Sequence, residues 1–242
     1  MKTIPIFLIL LFSVIPQTFR VEKNVDGVYE DELFVAVKFN PGRNVVMCYK
    51  NSDGEILGNF SRLNDHIKST GKQLVFACNG GMFMEDLRPL GLYMEDGRTL
   101  MPLNTRSAST NFYLKPNGVF CILKDGTFDI KTTQNYSLSQ ISPLFATQSG
   151  PMLVVDSQIN KQFSYKSTSY NYRNGVGVQQ DGSVVFVLSK VPVNFYEFAC
   201  IFHDFGCVNA LYLDGNVSDF YCPEIGYTGM HAYMSVFISV TK

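Results

Sequence analysis

Two apolar segments of the sequence end in residues that could do chemistry. Residues 211–213 lead into Asp214-Gly215, and residues 73–78 lead into Asn79-Gly80-Gly81. A strand that stops on a carboxylate places that charge at the open end of a sheet, and glycine lets the backbone approach a ligand closely. We therefore expect the two strand ends to share one pocket.

The elements that carry these strand ends are predicted to be mostly short antiparallel strands. Apolar runs alternate with turn signals, which is typical of hairpins, at Asp96-Gly97, Pro116-Asn117-Gly118, Asp125-Gly126 and Asp181-Gly182. We expect strands at residues 33–38, 45–50, 73–78, 111–114, 119–123, 175–178, 184–188 and 234–240.

Two helices are predicted beside the strands. Apolar residues recur at helical spacing between residues 59 and 69, with Gly71 as a stop. Asn194 and Glu197 have the spacing of a capping box, so a second helix is expected over residues 195–205. Its phenylalanines would form the buried face.

The composition predicts a single domain with a large core. Of the 242 residues, 46% are hydrophobic and 17% are charged. The net charge is -1 and the basic residues are scattered, which argues against nucleic acid as the main partner.

The first 18 residues have the pattern of an export signal. An early lysine precedes an apolar run over residues 4–15, which is shorter than the roughly 20 residues of a membrane-spanning helix. We expect a signal peptide at residues 1–18 and a mature domain at 19–242 without a membrane span, secreted or periplasmic. An uncleaved anchor is the alternative.

The six cysteines show no zinc-binding spacing, because no Cys-x-x-Cys pair and no Cys/His cluster occurs. Export would permit disulfides, although a domain of this size does not need them. If one bridge forms, we expect it among Cys200, Cys207 and Cys222.

A series of motifs resembles the phosphodiester glycosidase family, whose members include the uncovering enzyme that removes N-acetylglucosamine from phosphate on lysosomal-enzyme glycans. The resemblance covers about residues 30–240, and within the family the sequence is similar to the compact bacterial branch of exported proteins. The motifs that carry it are segments 79–83, 89–93, 111–120, 148–151, 173–177 and 206–215. It implies an α/β (α+β) fold with a mixed, largely antiparallel sheet, a few flanking helices and one domain.

The resemblance also implies a reaction, hydrolysis of the bond between a sugar's anomeric carbon and a phosphodiester oxygen. Phosphate is a good leaving group, so the protein mainly has to bind it, stabilise an oxocarbenium-like state and deliver water. Asp214 is the predicted catalytic carboxylate, as general base or as stabiliser of the sugar cation. The planar guanidinium of Arg173 would bind phosphate or carboxylate.

Further site residues follow from the same motifs. Asn79 with the amides of Gly80 and Gly81 would form a nest of donors for phosphate or sugar hydroxyls. The remaining substrate contacts are expected from Gln148, Ser149, Gly215 and Ser218. The second carboxylate is predicted to be Glu85, with Glu95 next.

One departure from the family pattern concerns the last motif. Many members continue it as Asp-Gly-Gly-Gly-Ser, whereas Asn216 and Val217 replace two glycines here. These bulkier residues would narrow the pocket. We therefore expect this chain to differ from the family pattern in its substrate more than in the position of its site.

No cofactor is predicted. A hard cation such as calcium could use oxygen ligands from Asp214 and Asn216, but two ligands are too few to define a metal site. The expected partner is a phosphorylated sugar or glycan. The alternatives are a non-catalytic module that binds phosphorylated glycans or envelope polysaccharide, and a structural envelope protein.

Overall fold

Strands dominate the part of the chain that the computed structural model describes, residues 19–22, 24–108, 110–215, 217–229 and 233–242. The strands are β1 (Phe19–Glu22), β2 (Val25–Glu30), β3 (Phe34–Phe39), β4 (Asn44–Cys48), β5 (Leu74–Asn79), β6 (Tyr93–Glu95), β7 (Arg98–Met101), β8 (Gly118–Ile122), β9 (Phe128–Thr132), β10 (Phe145–Ser149), β11 (Met152–Val155), β12 (Gln158–Ile159), β13 (Asn174–Gln179), β14 (Val184–Ser189), β15 (Cys207–Tyr212), β16 (Phe220–Cys222), β17 (Tyr227–Thr228) and β18 (Phe237–Thr241). The helices are α1 (Phe60–Ser69), α2 (Thr133–Leu138) and α3 (Phe195–Asp204), with two short 3-10 helices at Asn111–Tyr113 and Pro223–Ile225.

The strands form three sheets, and every pair of neighbouring strands in the described residues is antiparallel. The large sheet has the order β1-β2-β3-β14-β13-β15-β11-β12. The other two have the orders β7-β6-β10-β8-β9 and β17-β16-β5-β18-β4. The expected largely antiparallel α/β fold in one domain is therefore confirmed.

One aromatic cluster joins the three sheets. Phe186 of the large sheet lies with its ring centroid 5.0 Å from that of Phe76 on β5 and 6.3 Å from that of Phe120 on β8. All three rings are fully buried. Because each comes from a different sheet, the sheets share one core and cannot shift independently.

The two longer helices cover the outer faces of the sheets. α1 begins after Asn59, whose side chain accepts a hydrogen bond from the Arg62 amide, and it buries Phe60, Leu63 and Ile67. α3 begins with the capping box that the sequence predicts, because the side chains and backbone amides of Asn194 and Glu197 bond reciprocally. Its Phe198 and Phe202 pack on the large sheet.

Glycine on β13 allows α3 to approach the large sheet. A Cβ atom at Gly177 would lie 2.5 Å from the Cys207 sulfur and 2.7 Å from Phe202 Cδ1, closer than side chains can pack. The glycines of the 173–177 motif are thus used for packing between helix and sheet rather than for binding.

The structure departs from the sequence prediction in several places. The segment predicted as a strand at residues 111–114 contains a 3-10 helix, Asn111–Tyr113, and the final strand starts at Phe237 rather than at residue 234. The elements that were not predicted are β1, β2, β10, β11, β12, β16, β17 and α2. All six cysteines are free thiols, so the expected bridge among Cys200, Cys207 and Cys222 is absent.

The predicted signal peptide, residues 1–18, lies outside the described residues. Among the helices of the described chain, none combines the length and the apolar character needed to cross a membrane.

Candidate functional site

The two strand ends singled out in the sequence meet at the side chain of Asn79. Its Nδ2 donates to the Asp214 carbonyl oxygen at 3.0 Å, and its Oδ1 accepts from the Asp219 backbone amide at 3.2 Å. Asn174 Nδ2 donates to the same Oδ1 at 2.9 Å. Asn79 and Asn174 are both buried. The Asn79 carboxamide therefore fixes the loop that carries Asp214 to the end of β5.

The loop after β15 turns tightly over Tyr212. A Cβ atom at Gly215 would lie 1.7 Å from the Tyr212 hydroxyl oxygen, so no other residue fits without moving the loop. The Ser218 hydroxyl donates to the carbonyl oxygens of Asp214 and Gly215, at 3.2 and 3.3 Å. Gly215 and Ser218, both predicted as substrate contacts, thus shape the loop that presents Asp214.

Asp214 faces a cleft of about 220 Å³. One side is apolar, with Met82, Phe83, Leu90 and Phe112. The polar lining consists of Asp214, Gly215, Tyr212, Thr110 and Asn111. A cleft that combines a carboxylate with hydroxyl, amide and apolar side chains suits a small polar ligand such as one sugar ring.

Arg173 lies behind the cleft rather than on its surface. The side chain is buried, with Nε donating to the Val193 carbonyl oxygen at 2.8 Å and Nη2 to that of Ser169 at 3.0 Å. Its Cζ lies 3.7 Å from the ring centroid of Phe195 and 5.3 Å from that of Tyr212. Burial lowers the pKa of Arg173, and the neighbouring Tyr212 opposes that shift.

Arg173 therefore acts on the cleft through Tyr212. The guanidinium remains a cation in spite of its burial, because arginine keeps its proton in proteins. In a buried environment its field is weakly screened. Tyr212 lies between this charge and the cleft, so the guanidinium contributes a positive potential rather than a direct contact.

The amides of the Asn-Gly-Gly motif have partners within the protein. The Gly80 amide donates to the Val236 carbonyl oxygen at 2.8 Å, and the Gly81 amide donates to Thr147 Oγ1 at 3.3 Å. A Cβ at Gly81 would lie 2.4 Å from the Gln148 carbonyl oxygen. The structure thus places these glycines where the chain packs closely, and the cleft lining begins with Met82.

Gln148 and Ser149 are also interior residues. Gln148 Oε1 accepts from the amides of Leu92 and Asn104, at 3.0 and 2.9 Å, while its Nε2 donates to Asn104 and Thr133. Ser149 is fully buried. Neither residue lines the cleft, and Gln148 instead holds the loops that do.

The two glutamates considered as second carboxylate lie outside the cleft lining. Glu85 is exposed on the turn after the Asn-Gly-Gly motif. Glu95 is half-buried and accepts from the Tyr49 amide at 3.3 Å. Burial raises the pKa of the Glu95 carboxyl.

The structure adds Asp219, which the sequence analysis did not single out. Its backbone amide bonds to the same Asn79 side chain that holds Asp214. Its carboxylate accepts from the Phe220 amide at 2.8 Å. Two carboxylate-bearing residues are therefore linked through one carboxamide group.

A tyrosine-rich loop, residues 160–172, borders the cleft. The Tyr172 carbonyl oxygen would lie 3.2 Å from a Cβ at Gly215. The side chains of Tyr165, Tyr170 and Tyr172 are exposed, by 66%, 49% and 54%. The loop that ends beside Gly215 therefore carries exposed ring surfaces that are available for contact with a ligand.

Asn216, considered with Asp214 as a cation ligand, lies outside the described residues. Within the described ranges, no group of three or more His, Cys, Asp or Glu side chains is arranged to hold a metal ion.

Several residues of the site carried no signal of their own in the sequence. Tyr212 falls within a predicted strand, where an aromatic residue is unremarkable, and Asn174 directly precedes one. Asn111 belongs to a segment that was predicted as a strand, and Thr110 directly precedes it.

Replacement of Asn79 by alanine should weaken the whole site. It would remove one of the two hydrogen bonds to the Asp214 carbonyl oxygen and one of the two made by the buried Asn174 side-chain amide, so the free energy of unfolding should fall by about 1–3 kcal/mol. Urea denaturation of Asn79→Ala and of the exposed-site control Asn135→Ala would measure this. Equal midpoints for Asn79→Ala and the unchanged protein would contradict the structural role.

The Tyr212 hydroxyl should make stability depend on pH in alkali. Burial raises its pKa from 10.0 to about 12. Between these values the unfolded chain binds fewer protons than the folded one, so stability falls as pH rises through this window. The stability difference between the unchanged protein and Tyr212→Phe should therefore shrink from about pH 9 to about pH 11.

Denaturation at both pH values checks this, with Tyr165→Phe as an exposed control that should show no such change. In the difference between the variant and the unchanged protein, the contributions of other buried groups that titrate in the same pH range cancel. A difference that stays constant with pH would show that Tyr212 ionises equally in both states.

Comparison with known proteins gives the site a family. The phosphodiester glycosidase family model matches residues 72–222, which include Asn79, Arg173, Tyr212, Asp214 and Asp219. The chain is 38% identical over 178 residues to the uncharacterized protein YigE of Escherichia coli strain K12, covering 73% of this chain and 69% of that protein.

Two solved structures share the fold. The catalytic domain of zebrafish N-acetylglucosamine-1-phosphodiester alpha-N-acetylglucosaminidase aligns with a TM-score of 0.57 at 18% identity, over 88% of this chain and 77% of that one. A hypothetical protein from Synechocystis aligns with a TM-score of 0.54 at 13% identity, over 93% and 61%. At these identities the likeness concerns the fold alone, whereas the family match and the bacterial relative concern the sequence. The chain therefore belongs to the phosphodiester glycosidase family.

Proposed function

We propose that this protein hydrolyses the glycosidic bond of a sugar 1-phosphodiester. The observation that carries the proposal is the position of Asp214, held by Asn79 at the edge of a cleft that suits one sugar ring. Family membership supports a glycosidase function of this kind. The solved zebrafish relative, by its name, acts on N-acetylglucosamine 1-phosphodiesters.

The proposed reaction needs one well-placed carboxylate. Water attacks the anomeric carbon, the bond from that carbon to the phosphate oxygen breaks, and the products are a free sugar and a phosphomonoester. Asp214 takes the proton from water or stabilises the oxocarbenium-like state. Thr110 and Asn111 also line the cleft and are the neutral donors that we assign to the phosphate or the sugar hydroxyls.

Tyr212 and Arg173 contribute electrostatics in this proposal. Tyr212 lines the cleft, and its hydroxyl is protonated at neutral pH, as any phenol is whose pKa lies at or above its usual range. It can therefore donate to a phosphate oxygen. The buried Arg173 guanidinium next to it favours the negative charge that grows on the leaving group.

The predicted export remains part of the proposal. It rests on the apolar run at residues 4–15 behind an early lysine, and an exported enzyme would meet phosphorylated glycans or envelope polymers outside the cytoplasm.

Asp214→Asn should lower turnover by about 10²- to 10⁴-fold without unfolding the protein, because it removes a proton acceptor and a charge but retains the shape. The assay incubates the purified protein with a set of α-linked sugar 1-phosphodiesters and measures free reducing sugar. Asp53→Asn, in an exposed turn, is the matched control. Near-normal turnover in Asp214→Asn would end the catalytic role.

The same assay separates the enzyme from the binding module. Binding of the phosphodiesters without release of sugar would favour a non-catalytic module for phosphorylated glycans. Neither binding nor release would favour the structural envelope protein.

The second carboxylate can be identified by comparing Glu85→Gln with Asp219→Asn. Neither residue is in the cleft lining, but we expect the larger loss of turnover in Asp219→Asn, because the Asp219 backbone is bonded to the Asn79 side chain that also holds the Asp214 backbone, whereas Glu85 is exposed. Both losses should be smaller than that of Asp214→Asn, since phosphate leaves without strong acid assistance. A larger loss in Glu85→Gln would instead support the assignment from sequence.

A further inference from the structure

A second cavity, of about 530 Å³, lies beside the cleft. It is lined by the segment Lys115-Pro116-Asn117, by Thr132, Thr133 and Gln134 at the start of α2, and by Gln162 of the tyrosine-rich loop. The lining described by the structure contains one cation and no carboxylate. Its charge therefore favours an anionic group over a cationic one.

Lys115 is the charged group of this cavity. The side chain is half-buried, and its Nζ donates to Asn117 Oδ1 at 3.3 Å. In the described part of the chain, no carboxylate lies within ion-pairing distance of this Nζ. A half-buried lysine with only a neutral acceptor has a strong preference for an added anion, because its charge is partly desolvated without compensation.

The neighbouring groups are fixed in position. Asn117 is buried, and its Nδ2 donates to the Phe112 carbonyl oxygen at 2.9 Å, which orients its Oδ1 towards Lys115. Thr133 is buried as well, and its hydroxyl accepts from Gln148 Nε2 at 3.1 Å, so its own hydrogen is available to an acceptor in the cavity. The cavity is thus a polar site with fixed geometry.

The cavity and the cleft share one short segment of chain. Phe112 lines the cleft and Lys115 lines the cavity, and three residues span at most about 11 Å between their Cα atoms. A ligand built of two sugar-phosphate units can cover that distance. One unit would place its glycosidic bond at Asp214 while the next phosphate lies at Lys115.

We propose that the Lys115 cavity is a second anion-binding subsite that selects substrates carrying a further phosphate, such as an oligomer of sugar-phosphate units. This proposal rests on the proposed function, which places the first phosphate of the substrate in the cleft. The subsite itself rests on the cavity, on a lysine that donates to a neutral oxygen, and on the buried Thr133 hydroxyl.

The kinetic test compares a sugar 1-phosphodiester that carries one phosphate with a two-unit substrate that carries two. In Lys115→Met the ratio of kcat/KM for the two-phosphate to the one-phosphate substrate should fall by about tenfold, the effect of losing one charge-assisted hydrogen bond. Lys115→Arg should keep most of the preference, and the exposed Lys124→Met should leave the ratio at its original value. An unchanged ratio in Lys115→Met would overturn the proposal.

A binding test keeps the subsite separate from catalysis. Inorganic phosphate titrated into the isotope-labelled protein should shift the amide signals of Thr133 and Gln134 in a saturable way. Those shifts should be lost in Lys115→Met and kept in Lys124→Met. Saturable shifts without hydrolysis of either substrate would support the subsite and refute the proposed function, and the absence of shifts would refute the subsite whatever the turnover.

Discussion

The hydrogen bonds of a single carboxamide, that of Asn79, determine how the candidate site is assembled. β5 belongs to one five-stranded sheet, and β15, which leads into Asp214, belongs to the eight-stranded sheet. Asn79 and its partner Asn174 connect these sheets where both strands end. Because both carboxamides are buried, a bond lost at either one would leave a desolvated group, which makes the junction stiff. A rigid junction of this kind fixes the backbone that carries the Asp214 carboxylate.

The electrostatics of the site follow from what is buried next to it. A cation stacked on Phe195 and bonded to two carbonyl oxygens keeps its charge but cannot swing into the cleft. Arg173 is therefore better suited to a constant background field than to gripping a phosphate. Apart from Asp214, the polar residues that line the cleft are neutral.

The parts of the fold predicted from sequence are those with local causes. The helix at residues 59–69, the capping box at Asn194, and the Asp-Gly turns between strands depend on residues a few positions apart, and the structure has them as predicted. The convergence of Asn79 with Asp214 was predicted because both end a strand. The 3-10 helix at Asn111–Tyr113 was missed because its sequence favours strand locally, and its conformation is set by packing of Phe112 in the interior.

The roles of Arg173, Gln148 and Asp219 depended on tertiary contacts. Nothing in the sequence around Arg173 shows that Phe195 will stack on it. Nor does the sequence around Gln148 show that its side chain will be hydrogen-bonded to the amides of Leu92 and Asn104. Asp219 lies five positions after Asp214 in a loop without periodicity, so only the shared bond to Asn79 brings it to notice. The order of the motifs identified the region of the cleft. It did not distinguish residues that line the cleft from residues that hold the lining residues in place.

The tyrosine-rich loop combines a restrained backbone with outward side chains. The carbonyl oxygens of Ser167 and Ser169 accept bonds from two buried side chains, Asn194 and Arg173. Its aromatic rings nevertheless project into solvent. A saccharide that stacks on those rings would immobilise a few side-chain torsions but little main chain. Because the loop backbone is already ordered in the free protein, the loss of conformational entropy on forming that contact would be small.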